Sequence, residues 1–169
     1  GGGPVGLIFA LLLKDLIPSN NLLIKIYDRR WCRNTESSTV SWKSIIEGNA
    51  RRQQVVTLQS KQYRQLPLAI QERIFVQGSY SEMWPIPNDF NGYRPRNVRI
   101  AHIEDVLLEI ANQTECIELI PQKFDAEKIN IKDQHLLVIC EGSRSKTRQK
   151  FIKKFGTPDT SIYSLDGSN

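Results

Sequence analysis

Apolar positions gather in short stretches whose spacing predicts alternating helices and strands. Leu7 to Leu13 is an unbroken apolar run. With Pro4 before it and Ile17-Pro18-Ser19-Asn20-Asn21 after it, it predicts a first helix over about Pro4 to Leu16. Leu22 to Tyr27 predicts a strand. From Trp31 to Tyr63 the chain is polar, with one apolar interlude at Val55-Val56-Thr57-Leu58. Leu66 to Phe75 predicts a helix, and Gly78 to Pro95, rich in Gly, Pro, Asn and aromatic residues, a long excursion. Ile100, Ile103, Val106-Leu107 and Ile110-Ala111 have helical spacing, which predicts a helix over about Ala101 to Gln113. Cys116 to Ile120 follows as a short strand and Ile129 to Ile131 as a minor one. Leu136 to Cys140 is a continuous apolar run with β-branched members, the pattern of a strand buried on both faces. A turn at Glu141-Gly142-Ser143-Arg144-Ser145 leads to a basic helix over Lys146 to Phe155. This order implies an α/β fold with a mostly parallel sheet and right-handed crossovers that place helices on its faces. The whole chain, 1–169, reads as one domain.

The first helix is introduced by Gly1-Gly2-Gly3-Pro4-Val5-Gly6, a G-x-G-x-x-G pattern. Gly1 permits a tight turn, Gly3 lets backbone approach a pyrophosphate, and Gly6 allows close packing of helix on strand. The helix N-terminus then turns its N–H groups toward the anion. Asp28 closes the following strand, 22 positions after Gly6. A dinucleotide fold places there the carboxylate that accepts from the adenosine ribose. The pattern should itself follow a strand, so a first strand is expected before Gly1 and the sequence reads as a piece of a longer chain. A Gly-rich cloning scar would not explain Pro4, Val5 and Gly6 in register with the helix and Asp28. The run has no basic segment or small-residue cleavage site of a signal peptide, and it is too short to span a membrane.

Composition narrows the classes. Hydrophobic residues make up 40%, enough for a sizeable core. The net charge of +5 is modest and its basic residues are scattered, at Arg29-Arg30, Arg51-Arg52, Arg94 to Arg99 and Arg144 to Lys154. With no recognition motif and little aromatic interleaving, nucleic acid is not the expected partner; a cofactor pyrophosphate accounts for some of the cations. Cys32, Cys116 and Cys140 are odd in number, widely spaced and without a C-x-x-C, which argues for a reducing, cytoplasmic setting and against a disulfide framework or zinc site. His102 and His135 are isolated and read as structural. Trp31, Trp42 and Trp84 read as packing residues.

Leu136 to Arg148 resembles the segment of flavoprotein monooxygenases in which an apolar strand runs into Cys-Asp-Gly, then Ser, then Arg. Gly1 to Leu7 resembles the flavin-binding start of that family, and Tyr27-Asp28-Arg29-Arg30 its acidic residue followed by basic ones. Arg52 to Leu58 is similar to the stretch in which an Arg precedes a short apolar segment near the cofactor, somewhat as in the actin-oxidising members. The helix from about Ala101 sits where the family has one introduced by an Arg, here Arg99. The likeness spans most of the chain, and its two end motifs are specific as a pair. It departs in three places. Glu141 replaces the family Asp, Arg99 is about one residue out of register, and the downstream Gly-Asp motif has no copy, since Leu165-Asp166-Gly167 lies too close to Glu141.

The resemblance implies a Rossmann-like, three-layer FAD/NAD(P)-binding fold, incomplete here, in a parent that uses FAD, NAD(P)H and oxygen on a small organic substrate. It assigns Gly1, Gly3, Pro4, Val5 and Gly6 to the pyrophosphate turn, and Asp28 to the ribose of FAD rather than of NADP. Arg29, Arg30, Arg52 and, weakly, Arg99 go to phosphate or adenosine. Glu141 and Gly142 go to the cofactor on the nicotinamide approach. No residue is assigned as acid, base, nucleophile or metal ligand. The substrate-binding part is expected downstream, and the isolated chain is expected to be catalytically silent. Two alternatives stay open: an FAD-dependent reductase that inserts no oxygen, and a non-catalytic dinucleotide-binding module. Asp28 as a plain strand end, Arg52 as a surface residue and Glu141-Gly142 as an ordinary turn stay open as well.

Overall fold

The structure, a computed structural model, describes residues 1–18, 21–83, 92–125, 127, 136–142 and 145–151. Helix α1 (Pro4–Leu16) starts at Pro4, whose fixed φ suits a first helical position. It ends where Ile17 turns extended ahead of Pro18. Leu7, Ala10 and Leu11, spaced i, i+3, i+4, are its buried stripe. They pack with α4 (Ile100–Asn112), whose buried face runs through Ala101, Ile103, Glu104, Leu107, Leu108 and Ala111. Helix α4 is the hub of the fold, touching α1, α3 (Leu68–Ile74) and strands of all three sheets.

Strand β1 (Ile24–Tyr27) lies parallel to β7 (Ile117–Ile120), in register from Ile24 opposite Ile117 to Tyr27 opposite Ile120. Helix α4 runs directly into β7. Strands β2 (Trp31–Arg33) and β3 (Val40–Trp42) form an antiparallel hairpin. Strand β6 (Arg96–Arg99) pairs antiparallel with β4 (Val55–Leu58) on one side and β5 (Tyr80–Glu82) on the other. Helix α2 (Ser60–Tyr63) and helix α3 connect β4 to β5, and α5 (Lys146–Phe151) is the last described element. The core gathers Leu7, Leu11, Ile26, Trp31, Ile74, Val98, Leu107 and Leu119, among others, around α4.

The fold is therefore mixed α/β with small sheets, and three expectations need correction. Among the described residues β1–β7 is the one parallel pair and the other ladders are antiparallel, so the sheet content is not mostly parallel. The short connection between β2 and β3 favours hairpin pairing, whereas parallel pairs need long crossovers. The stretch from Trp31 to Trp42 forms a hairpin although its pattern is polar, because Trp31 and Val40 anchor it inward at 0% and 4% exposure with Trp42 packed beside them. Leu136 to Cys140 joins no ladder with the described strands, and Leu136 and Val138 are 64% and 39% exposed. An apolar run becomes a strand buried on both faces only where neighbouring strands supply its backbone partners. The minor strand expected at Ile129 to Ile131, the centre of the excursion with Trp84, His135, and residues 152–155 of the basic helix lie outside the described residues.

Candidate dinucleotide site at the glycine turn

The glycines of the opening turn are demanded by close contacts. A Cβ on Gly6 would stand 1.9 Å from the Gly1 carbonyl oxygen, and one on Gly2 would stand 2.1 Å from the ring of Trp31. Both contacts are far inside van der Waals distance. A Cβ on Gly1 would stand 2.7 Å from the Cys140 carbonyl oxygen, so the two end motifs of the sequence meet in space, with Cys140 and Glu141 beside Gly1. Gly3 differs. A Cβ there would meet only the tips of two arginines, Arg52 Nη2 at 3.2 Å and Arg30 Nη2 at 3.7 Å. Gly3 is also the N-cap of α1, which has no side-chain cap and no acid in its first turn. The first N–H groups of a helix have no partner within it and carry the positive end of its dipole. Two guanidinium groups thus converge with a helix N-terminus on Gly3, the glycine of this turn where a Cβ would meet only side-chain tips. Pro4 supplies no N–H, and Val5 points outward, 71% exposed.

Asp28 follows β1 directly and is buried. Its Oδ2 accepts from the Gly2 N–H at 3.0 Å, which ties the strand end to the glycine turn. Arg30 fills the remaining positions: its backbone N–H and Nε donate to Oδ1 at 2.9 and 3.0 Å, and its Nη2 donates to Oδ2 at 2.7 Å. Burial pushes the Asp28 carboxyl up, but these Arg30 hydrogen bonds, the Arg30 charge and the Gly2 N–H outweigh burial and hold it below the usual carboxylate range. The Arg30 guanidinium is correspondingly raised, burial being outweighed by Asp28 and Glu104.

Glu104 organises the rest. It sits on the buried face of α4, 1% exposed, and accepts from Arg30 Nη1 at 3.2 Å and from Arg52 Nη2, with Arg51 Nη2 at 3.8 Å. Arg51 also donates to Asp105 at 2.8 Å and to the Ala101 carbonyl at 2.8 Å. The backbone of this segment caps α4, since the Ala101 N–H donates to the Arg52 carbonyl and the Ile100 N–H to that of Gln54. Two of the guanidinium groups stand over the Trp42 ring, Arg30 at 4.9 Å and Arg51 at 4.6 Å, and Trp42 packs edge-on against Trp31 at 5.9 Å. The Trp31 indole Nε1 is buried and lacks a partner among the described residues.

The other expected site residues are placed differently. Arg29 is exposed on the turn after β1. Arg99 is exposed at the end of β6, opposite Val55, and is not part of the Glu104 cluster. Glu141 accepts from the Ser145 hydroxyl at 2.6 Å, and Ser145 in turn accepts from the Arg148 N–H at 2.9 Å at the start of α5. Burial raises the Glu141 carboxyl, but hydrogen bonds from Ser145 and Thr147 dominate and hold it below the usual range. Gly142 takes φ +81° in the turn, a conformation natural to glycine. His102 donates or accepts at the Ile74 carbonyl, 2.9 Å away, as a structural residue. No cluster of metal-ligating side chains and no helix long and apolar enough to cross a membrane occurs among the described residues.

Glu104, Arg51, Trp42 and Gly2 belong to the site and were not picked out from the sequence. Glu104 left a legible signal: it stands between Ala101 and Leu108 at i+3 and i+7 on an apolar face, and a carboxylate at such a position demands cationic partners. Comparison with protein-family models, with curated proteins and with solved structures finds no match to this chain.

Proposed function

We propose that this chain is the FAD-binding part of a flavin-dependent oxidoreductase, of the monooxygenase kind that uses NAD(P)H and oxygen on a small organic molecule. One observation carries the reading: Arg30 and Arg52 reach the bare side of Gly3 at the uncapped N-terminus of a 13-residue helix, beside a strand-end Asp28. The residues fit a diphosphate, which needs close backbone approach, free N–H groups and fork-shaped cations. Gly3 and the first turn of α1 would receive it, and Arg52, partly exposed, would pair with it. Cys140 and Glu141, beside Gly1, would border the same cofactor. In this reading β1 and β7 belong to the central sheet of a Rossmann-like, three-layer fold in a cytoplasmic enzyme. The flavin supplies the redox chemistry when bound, while the chain's residues bind and orient it.

Titration of the purified chain with FAD, followed by flavin fluorescence, tests this. Saturable binding is expected. Gly3→Val should abolish it while circular dichroism stays the same, because the added Cβ meets only guanidinium tips. Absence of binding by the unaltered chain, or equal binding by the variant, refutes the reading.

A second reading is favoured by the pairing of Asp28 with Arg30 and of the arginines with Glu104. Such a self-satisfied ion cluster suits a non-catalytic module in which the glycine turn is structural. That reading requires a folded chain with no affinity for FAD.

A further inference from the structure

Ionised carboxylates offer about four lone-pair positions, and at Asp28 all are taken. Three of the four donors are groups of Arg30, and the fourth is the Gly2 N–H. Vicinal hydroxyls of a ribose would need the two positions held by the Arg30 guanidinium. The same guanidinium reaches within 3.7 Å of where a Gly3 Cβ would stand, at the diphosphate position.

We propose that Arg30 is a specificity-determining residue. It occupies the acceptor positions of Asp28 until a diphosphate at Gly3 offers it another anion, so the site takes nucleoside diphosphates and refuses nucleosides. This rests on the dinucleotide reading of the glycine turn. A nucleoside alone must displace a two-pronged, charge-assisted pair. It also strands the Arg30 guanidinium with Glu104, which Arg51 and Arg52 already share. A diphosphate accepts the same fork, so the exchange replaces one ion pair with another. Nucleoside and diphosphate binding are therefore coupled through one side chain.

The test is calorimetric titration of the full chain with inorganic pyrophosphate, with adenosine, with adenosine under saturating pyrophosphate, and with ADP. Adenosine affinity should rise about tenfold or more when pyrophosphate is present. Arg30→Met should bind adenosine equally well with and without pyrophosphate. Arg30→Lys, which keeps the charge but loses the fork, should show weakened coupling and guards against misfolding of the Met variant. Adenosine affinity that ignores pyrophosphate while ADP still binds overturns the role of Arg30 and leaves the dinucleotide reading standing. Failure of both ADP and pyrophosphate to bind overturns both. Coupling undiminished in Arg30→Lys also overturns the proposal.

Discussion

Replacing Glu104 by Ala removes the acceptor on which three arginines converge. Taking one partner out of a buried ion pair costs about 3–5 kcal/mol when the other charge stays buried and unpaired. Here the arginine side chains keep some solvent contact, 30% for Arg30, 22% for Arg51 and 42% for Arg52. Arg30 retains Asp28 and Arg51 retains Asp105. Water and those carboxylates recover part of the loss, while the one missing methylene adds about 0.8 kcal/mol. The net expectation is a loss of about 2–3 kcal/mol. For a chain of this size that lowers Tm by roughly 5–10 °C. Urea unfolding followed by tryptophan emission is the assay, since Trp31 and Trp42 lie at the cluster. Glu104→Gln, which keeps the shape and one oxygen acceptor, should lose about half as much. A cycle with Arg52→Met should return a coupling of about 1 kcal/mol, toward the low end for contacting residues because Arg52 is partly exposed. A Glu104→Ala variant within about 0.5 kcal/mol of the parent, the range of an ordinary surface substitution, would show that the carboxylate is hydrated and does not hold the arginines.

Gly2→Ala forces a methyl group against the fully buried Trp31 ring. It should cost about 1–3 kcal/mol in denaturant unfolding, and an unaltered midpoint would show that the turn moves aside freely. Arg96 stacks over Tyr63, Phe75 and Tyr80 at 4.9, 4.7 and 4.5 Å. Arg96→Met keeps the bulk and loses the charge, and should cost roughly 1.5–3 kcal/mol at about 0.5–1 per ring; an equal thermal midpoint refutes that role. Asp28 and Glu141 are held below their ordinary values in the fold. Their contribution is thus complete above the unfolded carboxylate range near pH 4 and is lost as pH falls through the lower folded values. Thermal midpoints at pH 7 and 5 should show no loss from these groups, followed by a fall below pH ~4 that Asp28→Asn makes shallower. The same acid profile in Asp28→Asn would remove Asp28 from the account.

Helices α1 and α4 were legible in the sequence nearly to the residue, and α3 and the strands β1 and β7 to within two residues, whereas Val55 to Leu58, legible only as an apolar interlude, forms β4. Their periodicity and breakers act within one turn or one strand, and local patterns of that kind survive into the fold. The glycine turn feeding α1 and the strand-end position of Asp28 were legible for the same reason. Strand pairing was not. Three-residue strands such as β2, β3 and β5 are too short to show a period, and whether an apolar run like Leu136 to Cys140 is buried depends on which strands flank it. Ion-pair partners were equally hidden. Arg30 and Arg52 looked like free cations for a phosphate until α4 brought Glu104 between them from 74 and 52 positions away. The residue types that can bind an anion are written in the chain, but which charges face one another is set by the packing of α4 on the sheets. Coulomb attraction acts through space, and only the folded chain decides which distances are short.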